Sequence, residues 1–209
     1  FPQYASSSTG SALQRFMEIV SKWWVIPELK IISQYYDNED YINCIVNRGK
    51  QHDIAAYDHV IFSYHGLPER QVDKVYQDGS LCKDHNCETE TDDSNYYCYK
   101  AGCYQTTKAV VERLGIPAGK YTVSFQSRLD DKWLKPFSDK VVEELATKGA
   151  KRVLVFSPAF TADCLETIYE IGTEYQEIFH KHGGETIQLV ESLNSGHDWV
   201  ETIKKLALN

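Results

Sequence analysis

The chain lacks an excess of positive charge: 22 Lys and Arg stand against 30 Asp and Glu, for a formal net charge of −8. A nucleic-acid partner is therefore not expected, because such binding relies on a basic surface that neutralises phosphates. No apolar run approaches the length needed to span a bilayer, and no signal peptide opens the chain. Neither an internal repeat nor a low-complexity tract is present. An initiator methionine is also missing from the opening Phe1-Pro2-Gln3-Tyr4, which leads to the expectation of a fragment or processed piece of something longer. The remaining composition, 42% apolar and 25% charged over 209 residues, suits a globular protein with one substantial core. A cytoplasmic location is expected.

What is present is an alternation of strand and helix patterns. Apolar residues at helical spacing predict a helix over Ser11 to Trp24, a short strand at Lys30-Ile31-Ile32, and a helix through Tyr41, Cys44, Ile45 and Val46. A buried strand ends at Tyr64. A helix is predicted from about Tyr104 to Leu114, closed by Gly115-Ile116-Pro117. Strand Tyr121 to Phe125, helix Phe137 to Lys148, strand Arg152 to Phe156, helix Ala162 to His182 and strand Thr186 to Val190 follow. This order predicts an α/β fold: a Rossmann-like three-layer domain with a four- to five-stranded, mostly parallel sheet. In such sheets ligands bind at the C-terminal edge of the strands.

Three strand ends carry unusual chemistry there. Val60-Ile61-Phe62 runs into Ser63-Tyr64-His65-Gly66-Leu67-Pro68, which delivers one histidine to a strand tip. The second end supplies Phe125-Gln126-Ser127-Arg128, with Trp133 close behind. The third supplies Ser157 to Glu166, including Phe160 and Cys164. Beyond it Glu166, Glu170 and Glu174 recur every four residues and form a stripe on one helix face, opposite an apolar set of Ile168, Ile171, Tyr175 and Ile178. An acidic stripe is commonly a solvated face. Leading away from a strand-end pocket, it also offers a route for protons or a hydrated cation, since crowded carboxylates are raised toward neutral pKa values.

Cysteine follows the His65 loop. Cys82 and Cys87 have four residues between them, as do Cys98 and Cys103, within a polar, acidic stretch at about 78–103 that reads as an insertion. Without secretory features, metal ligation is favoured over disulfides. The spacing is looser than the pairs usual in structural zinc sites, and four thiolates also suit a [2Fe–2S] cluster. A cluster, zinc, disulfides and incidental cysteines all stay open.

Taken together, Ser63 to Pro68, Ser124 to Arg128 with Trp133-Leu134, Phe160 to Glu166 with Glu170, and the opening Pro2-Gln3-Tyr4 with Ser8 to Ser11 resemble the signatures of ferrochelatase. The resemblance implies the C-terminal half of that fold. Residues 1–24 would be the end of an N-terminal domain with its substrate-loop segment, and 25–209 a C-terminal Rossmann-like domain. It implies insertion of ferrous iron into a porphyrin, protoporphyrin IX or coproporphyrin III, in haem biosynthesis. An isolated piece would be inactive, because the porphyrin would lie in a cleft between two domains. By resemblance His65 is proton acceptor or iron ligand, Glu166 its acidic partner, and Glu170 and Glu174 a proton or metal path. Phe160 and Trp133 would wall the macrocycle, with Ser127 and Arg128 counted among the substrate and proton-path residues. Some bacterial relatives carry a [2Fe–2S] cluster on an internal cysteine insert, which implies Cys82, Cys87, Cys98 and Cys103 as its ligands. The loop Ser127 to Trp133 departs from the family pattern by lacking a glycine and one residue, and Cys164 stands where some relatives carry histidine. Alternatives are a cobalt or nickel chelatase acting on a more reduced tetrapyrrole, and a non-catalytic porphyrin-binding iron–sulfur module. Peripheral membrane contact, to collect a greasy substrate, is a further expectation.

Overall fold

The computed structural model describes residues 1–208. Four strands form one all-parallel sheet: β1 (His59–His65), β2 (Tyr121–Gln126), β3 (Arg152–Phe156) and β4 (Thr186–Leu189), in the order β2-β1-β3-β4. β1 is central and buried from Val60 to Tyr64, as expected of a strand covered on both faces. Its register against β2 runs from Val60 opposite Tyr121 to His65 opposite Gln126, and against β3 from His59 opposite Val153 to Phe62 opposite Phe156. The C-terminal tips of β1, β2 and β3 are therefore neighbours.

Helices cover both faces. On one lie α2 (Glu39–Gly49), α3 (Tyr99–Leu114) and α6 (His197–Leu208), packed over Phe62, Tyr64 and Phe156. Phe62 and Phe156 stack with ring centroids 4.8 Å apart. On the other, α4 (Ser138–Thr147), a π-helix (Glu166–Tyr175) and α5 (Gln176–Lys181) pack over Ile61, Val153 and Val155. Asn38 caps α2 by accepting from the Tyr41 amide, and Gly115 closes α3 at φ 66°, a left-handed conformation that favours glycine. The opening residues lie against α3: Gln3 is buried and donates from Nε2 to Thr106 Oγ1 at 3.1 Å.

Several expectations are corrected. The first helix, α1 (Ser11–Val20), stops four residues short of Trp24 and is preceded by a π-helical turn over Ser6–Gly10. Lys30 to Ile32 is not a strand: no described strand lies beside it to pair its amides. α3 begins at Tyr99, five residues earlier than expected. The long helix after Cys164 is π-helical from Glu166 to Tyr175, with hydrogen bonds spanning five residues. α6 was not foreseen; its Trp199 packs against Tyr35 and Tyr41 of the α2 side.

Phe62 fills the centre of the larger core at 0% exposure. Phe62→Ala is expected to cost about 3–5 kcal/mol of unfolding free energy, measured by denaturant titration, without altering the far-ultraviolet spectrum of the folded chain.

Candidate functional site

An open cleft of about 580 Å³ lies at the C-terminal edge of the sheet, lined by His65, Leu67, Tyr99, Phe160, Cys164 and Glu166 among others. β1 positions His65, and two hydrogen bonds fix that tip. Tyr99 Oη donates to the His65 carbonyl at 2.8 Å. His65 Nδ1 lies 2.6 Å from the Gly66 carbonyl, an acceptor only, so in the neutral imidazole Nδ1 carries the proton and Nε2 the lone pair. The Phe160 and Trp133 rings flank the imidazole, at centroid distances of 6.2 and 6.4 Å. Glu166 opens the π-helix. Its own amide and the Cys164 thiol hold its carboxyl below the usual carboxylate range, so it is an anion at neutral pH.

Behind the cleft, Glu170 is bound by four donors. Oε1 accepts from the Ser127 amide (3.0 Å) and Tyr175 Oη (2.9 Å), and Oε2 from Gln126 Nε2 (3.1 Å) and Ser127 Oγ (2.6 Å). Gln126 Nε2 also donates to the Glu166 carbonyl at 2.9 Å, and its Oε1 accepts from Ser63 Oγ at 2.8 Å. Ser127 sits at φ 60°, a left-handed conformation uncommon outside glycine, and the carboxylate holds it there. One carboxylate thus ties the β2 tip to the π-helix, while Gln126 ties both to β1.

The expected site residues divide accordingly. His65, Phe160 and Glu166 meet on the cleft. Trp133 stands beside His65 without lining it. Ser127 and Glu170 meet each other behind it. Arg128 is turned aside: its guanidinium forms a two-pronged pair with Asp139 and stacks on Phe137, 4.1 Å from the ring centroid. Glu174 is exposed. Tyr175 does not belong to an apolar face opposite the glutamates, because the π-helical turn brings residues five apart together and Tyr175 bonds Glu170; burial pushes its phenol up. Sequence reasoning with an ordinary helical period had no signal for that pair, nor for the roles of Gln126 and Tyr99.

Of the four insert cysteines, Cys82, Cys87 and Cys98 are buried with their sulfurs all within 4.8 Å of one another. Hydrogen bonds from Cys82 and Cys98, with Tyr76 Oη at 3.0 Å, hold the Cys87 thiol well below the ordinary range. Cys103 does not join them. It lies inside α3, five residues beyond the capping Cys98, which turns it roughly 140° around the helix. It is fully buried beside Tyr99, and burial pushes its thiol up. Ligation of one [2Fe–2S] cluster by all four does not fit this arrangement.

Compared with known proteins, the whole chain, residues 1–209, matches the family profile described as Ferrochelatase. It is 38% identical over 208 residues to a ferrochelatase of Pseudomonas savastanoi pv. phaseolicola, covering 99% of this chain and 61% of that protein. It is 40% identical over 207 residues to a ferrochelatase of Legionella pneumophila (strain Lens), with the same coverage of 99% and 61%. The chain therefore spans about three-fifths of the length of the curated relatives it matches.

Glu170→Gln turns one acceptor oxygen into a donor facing two donors. It is expected to cost about 2 kcal/mol and lower the melting temperature by roughly 4–8 °C. Glu174→Gln, at an exposed position, is expected to stay within about 0.5 kcal/mol of the parent. Equal melting temperatures for the two variants in a calorimetric scan contradict the anchoring of the β2 tip by Glu170.

Proposed function

The chain belongs to the ferrochelatase family, and we propose that the whole protein inserts ferrous iron into a porphyrin. The observation that carries this reading is the meeting of His65, Glu166 and Phe160 on one open cleft. Metallating a flat macrocycle removes two pyrrole protons and delivers a dication to its centre. That needs an uncharged base or ligand, an anion to compensate the developing positive charge, and apolar surface for the ring.

His65 supplies the first requirement through Nε2, whose lone pair serves either to accept a pyrrole proton or to hold the iron on its way in. The Gly66 carbonyl keeps the other nitrogen protonated, so the lone pair does not migrate between the two. Glu166 is the anionic partner; ionised at neutral pH, it attracts the hydrated cation and stabilises an imidazolium once His65 takes a proton. Phe160 supplies apolar wall, with Trp133 behind the imidazole. The glutamate stripe continues from the cleft to exposed Glu174, and supports a path for iron from solvent toward Glu166. Glu170 contributes to that path as charge and anchor, its oxygens being already engaged by four donors. Arg128, held by Asp139 and stacked on Phe137, stands aside from the cleft and takes no part in this reading. Peripheral membrane contact belongs to the same proposal, supported by the exposed run Trp23-Trp24-Val25-Ile26 that follows α1. No described helix is long and apolar enough to cross a membrane.

In anaerobic mixtures of full-length protein, ferrous iron and porphyrin, the absorbance change of metallation is expected. His65→Ala should reduce turnover about 10²–10⁴-fold, the usual worth of a positioned acid–base group, while porphyrin binding by fluorescence quenching persists. Turnover confined to cobalt or nickel and a reduced macrocycle, or unchanged turnover in His65→Ala, overturns the reading.

A further inference from the structure

We infer that the cysteine insert holds a single tetrahedral metal ion of the zinc class through three thiolates, Cys82, Cys87 and Cys98, and that Cys103 is not a ligand. The separation of the sulfurs carries this. Two thiolates on one tetrahedral ion, with metal–sulfur bonds of about 2.3 Å, stand about 3.8 Å apart. Cys82 Sγ and Cys98 Sγ are 3.5 Å apart, and all three sulfurs lie within 4.8 Å of one another. They form the corner of one coordination shell. A two-iron cluster divides four cysteines between two irons, so a third sulfur must stand off from the first pair, and here it does not.

The surroundings agree with a buried single-ion site. Each of the three cysteines is almost wholly buried, at 6%, 1% and 1% exposure. Three thiols crowded together in such a place are costly unless something accepts their electron pairs, and a divalent cation does so as three protons leave. The neighbouring polar groups already face a ligand sulfur: Tyr76 Oη lies 3.0 Å from Cys87 Sγ and Asn95 Nδ2 donates to the same sulfur at 3.7 Å. The Cys82 amide is held by Asp73 Oδ1 at 2.8 Å, which pins the loop on which the first sulfur sits. His85 stacks flat on Tyr76, 4.1 Å between centroids, and fixes the orientation of that phenol. Three protein ligands leave one position of the ion for solvent or a small ligand.

Cys103 is excluded by the helix that carries it. To bring its sulfur to the other three, the first turn of α3 must unwind, and with it the hydrogen bond of Tyr99 Oη to the His65 carbonyl. The insert's metal and His65 are thus served by adjacent residues at the start of one helix, Cys98 at its cap and Tyr99 in its first turn.

The test uses the chain itself, stripped with a chelator under reducing conditions and titrated with zinc or with cobalt as a spectroscopic probe. One ion per chain is expected, with the thiolate-to-cobalt charge-transfer band and the visible bands of tetrahedral cobalt. Cys82→Ala, Cys87→Ala and Cys98→Ala should each weaken binding by at least tenfold, and Tyr76→Phe by about tenfold, the usual cost of losing a hydrogen bond to a ligand. Cys103→Ala and the volume-preserving Cys103→Val should bind the ion as the parent does. Two irons with equal acid-labile sulfide per chain, absence of binding, or loss of the ion in a Cys103→Val variant that still melts cooperatively each overturns the inference.

Discussion

The position of β1 between β2 and β3 is the constraint on which the rest of this structure depends. A strand hydrogen-bonded on both sides and covered on both faces cannot slip by one residue without exchanging the side chains fitted to its two cores, which close packing resists. The pairing of His65 with Gln126 at one flank, and of Phe62 with Phe156 at the other, therefore sets where the imidazole emerges. Besides the Gly66 carbonyl, the groups around His65 come from neighbouring elements: Tyr99 from α3, Phe160 from the loop after β3, Trp133 from the loop after β2.

The polar groups buried at this edge form a second layer of control. Ser63, Ser124 and Ser138 share hydroxyl hydrogen bonds of 2.8 Å below the tips, and Gln126 extends them to the π-helix. A buried network of this kind is costly when incomplete and specific when complete. Here it is complete around Glu170, and it converts a sequence of separate loops into a fixed arrangement in which Glu166 faces the cleft. The π-helix is integral to that result, since it brings Glu170 and Tyr175 together and carries Glu166 at its first turn.

Much of this was legible beforehand. β1, β2 and β3 have apolar runs too strong to misplace, and Arg152–Phe156 was anticipated to the residue. His65, Phe160 and Glu166 were legible as site residues because each ends or follows such a run. The misplacements have physical causes. Lys30–Ile32 carries a strand pattern, but a strand exists only where a neighbour takes its hydrogen bonds. Tyr175 was assigned to the apolar side because an ordinary helical period was assumed. α6 follows a short loop and has a mixed face whose burial comes from α2 rather than from the sheet.

Sequence alone determined the order of the elements, the sheet edge that bears the chemistry and the residue types gathered there, because hydrophobic period and strand-end position are local properties of the chain. Tertiary structure decided which groups meet. Glu170 became an anchor instead of a free carboxylate because four donors from two other segments converge on it. Arg128 left the cleft because Asp139 and Phe137 hold it elsewhere. Cys103 parted from the other three cysteines because a helix carries it around its axis. Spacing along a chain counts residues, whereas a site is made by distance, and only the packed fold turns one into the other.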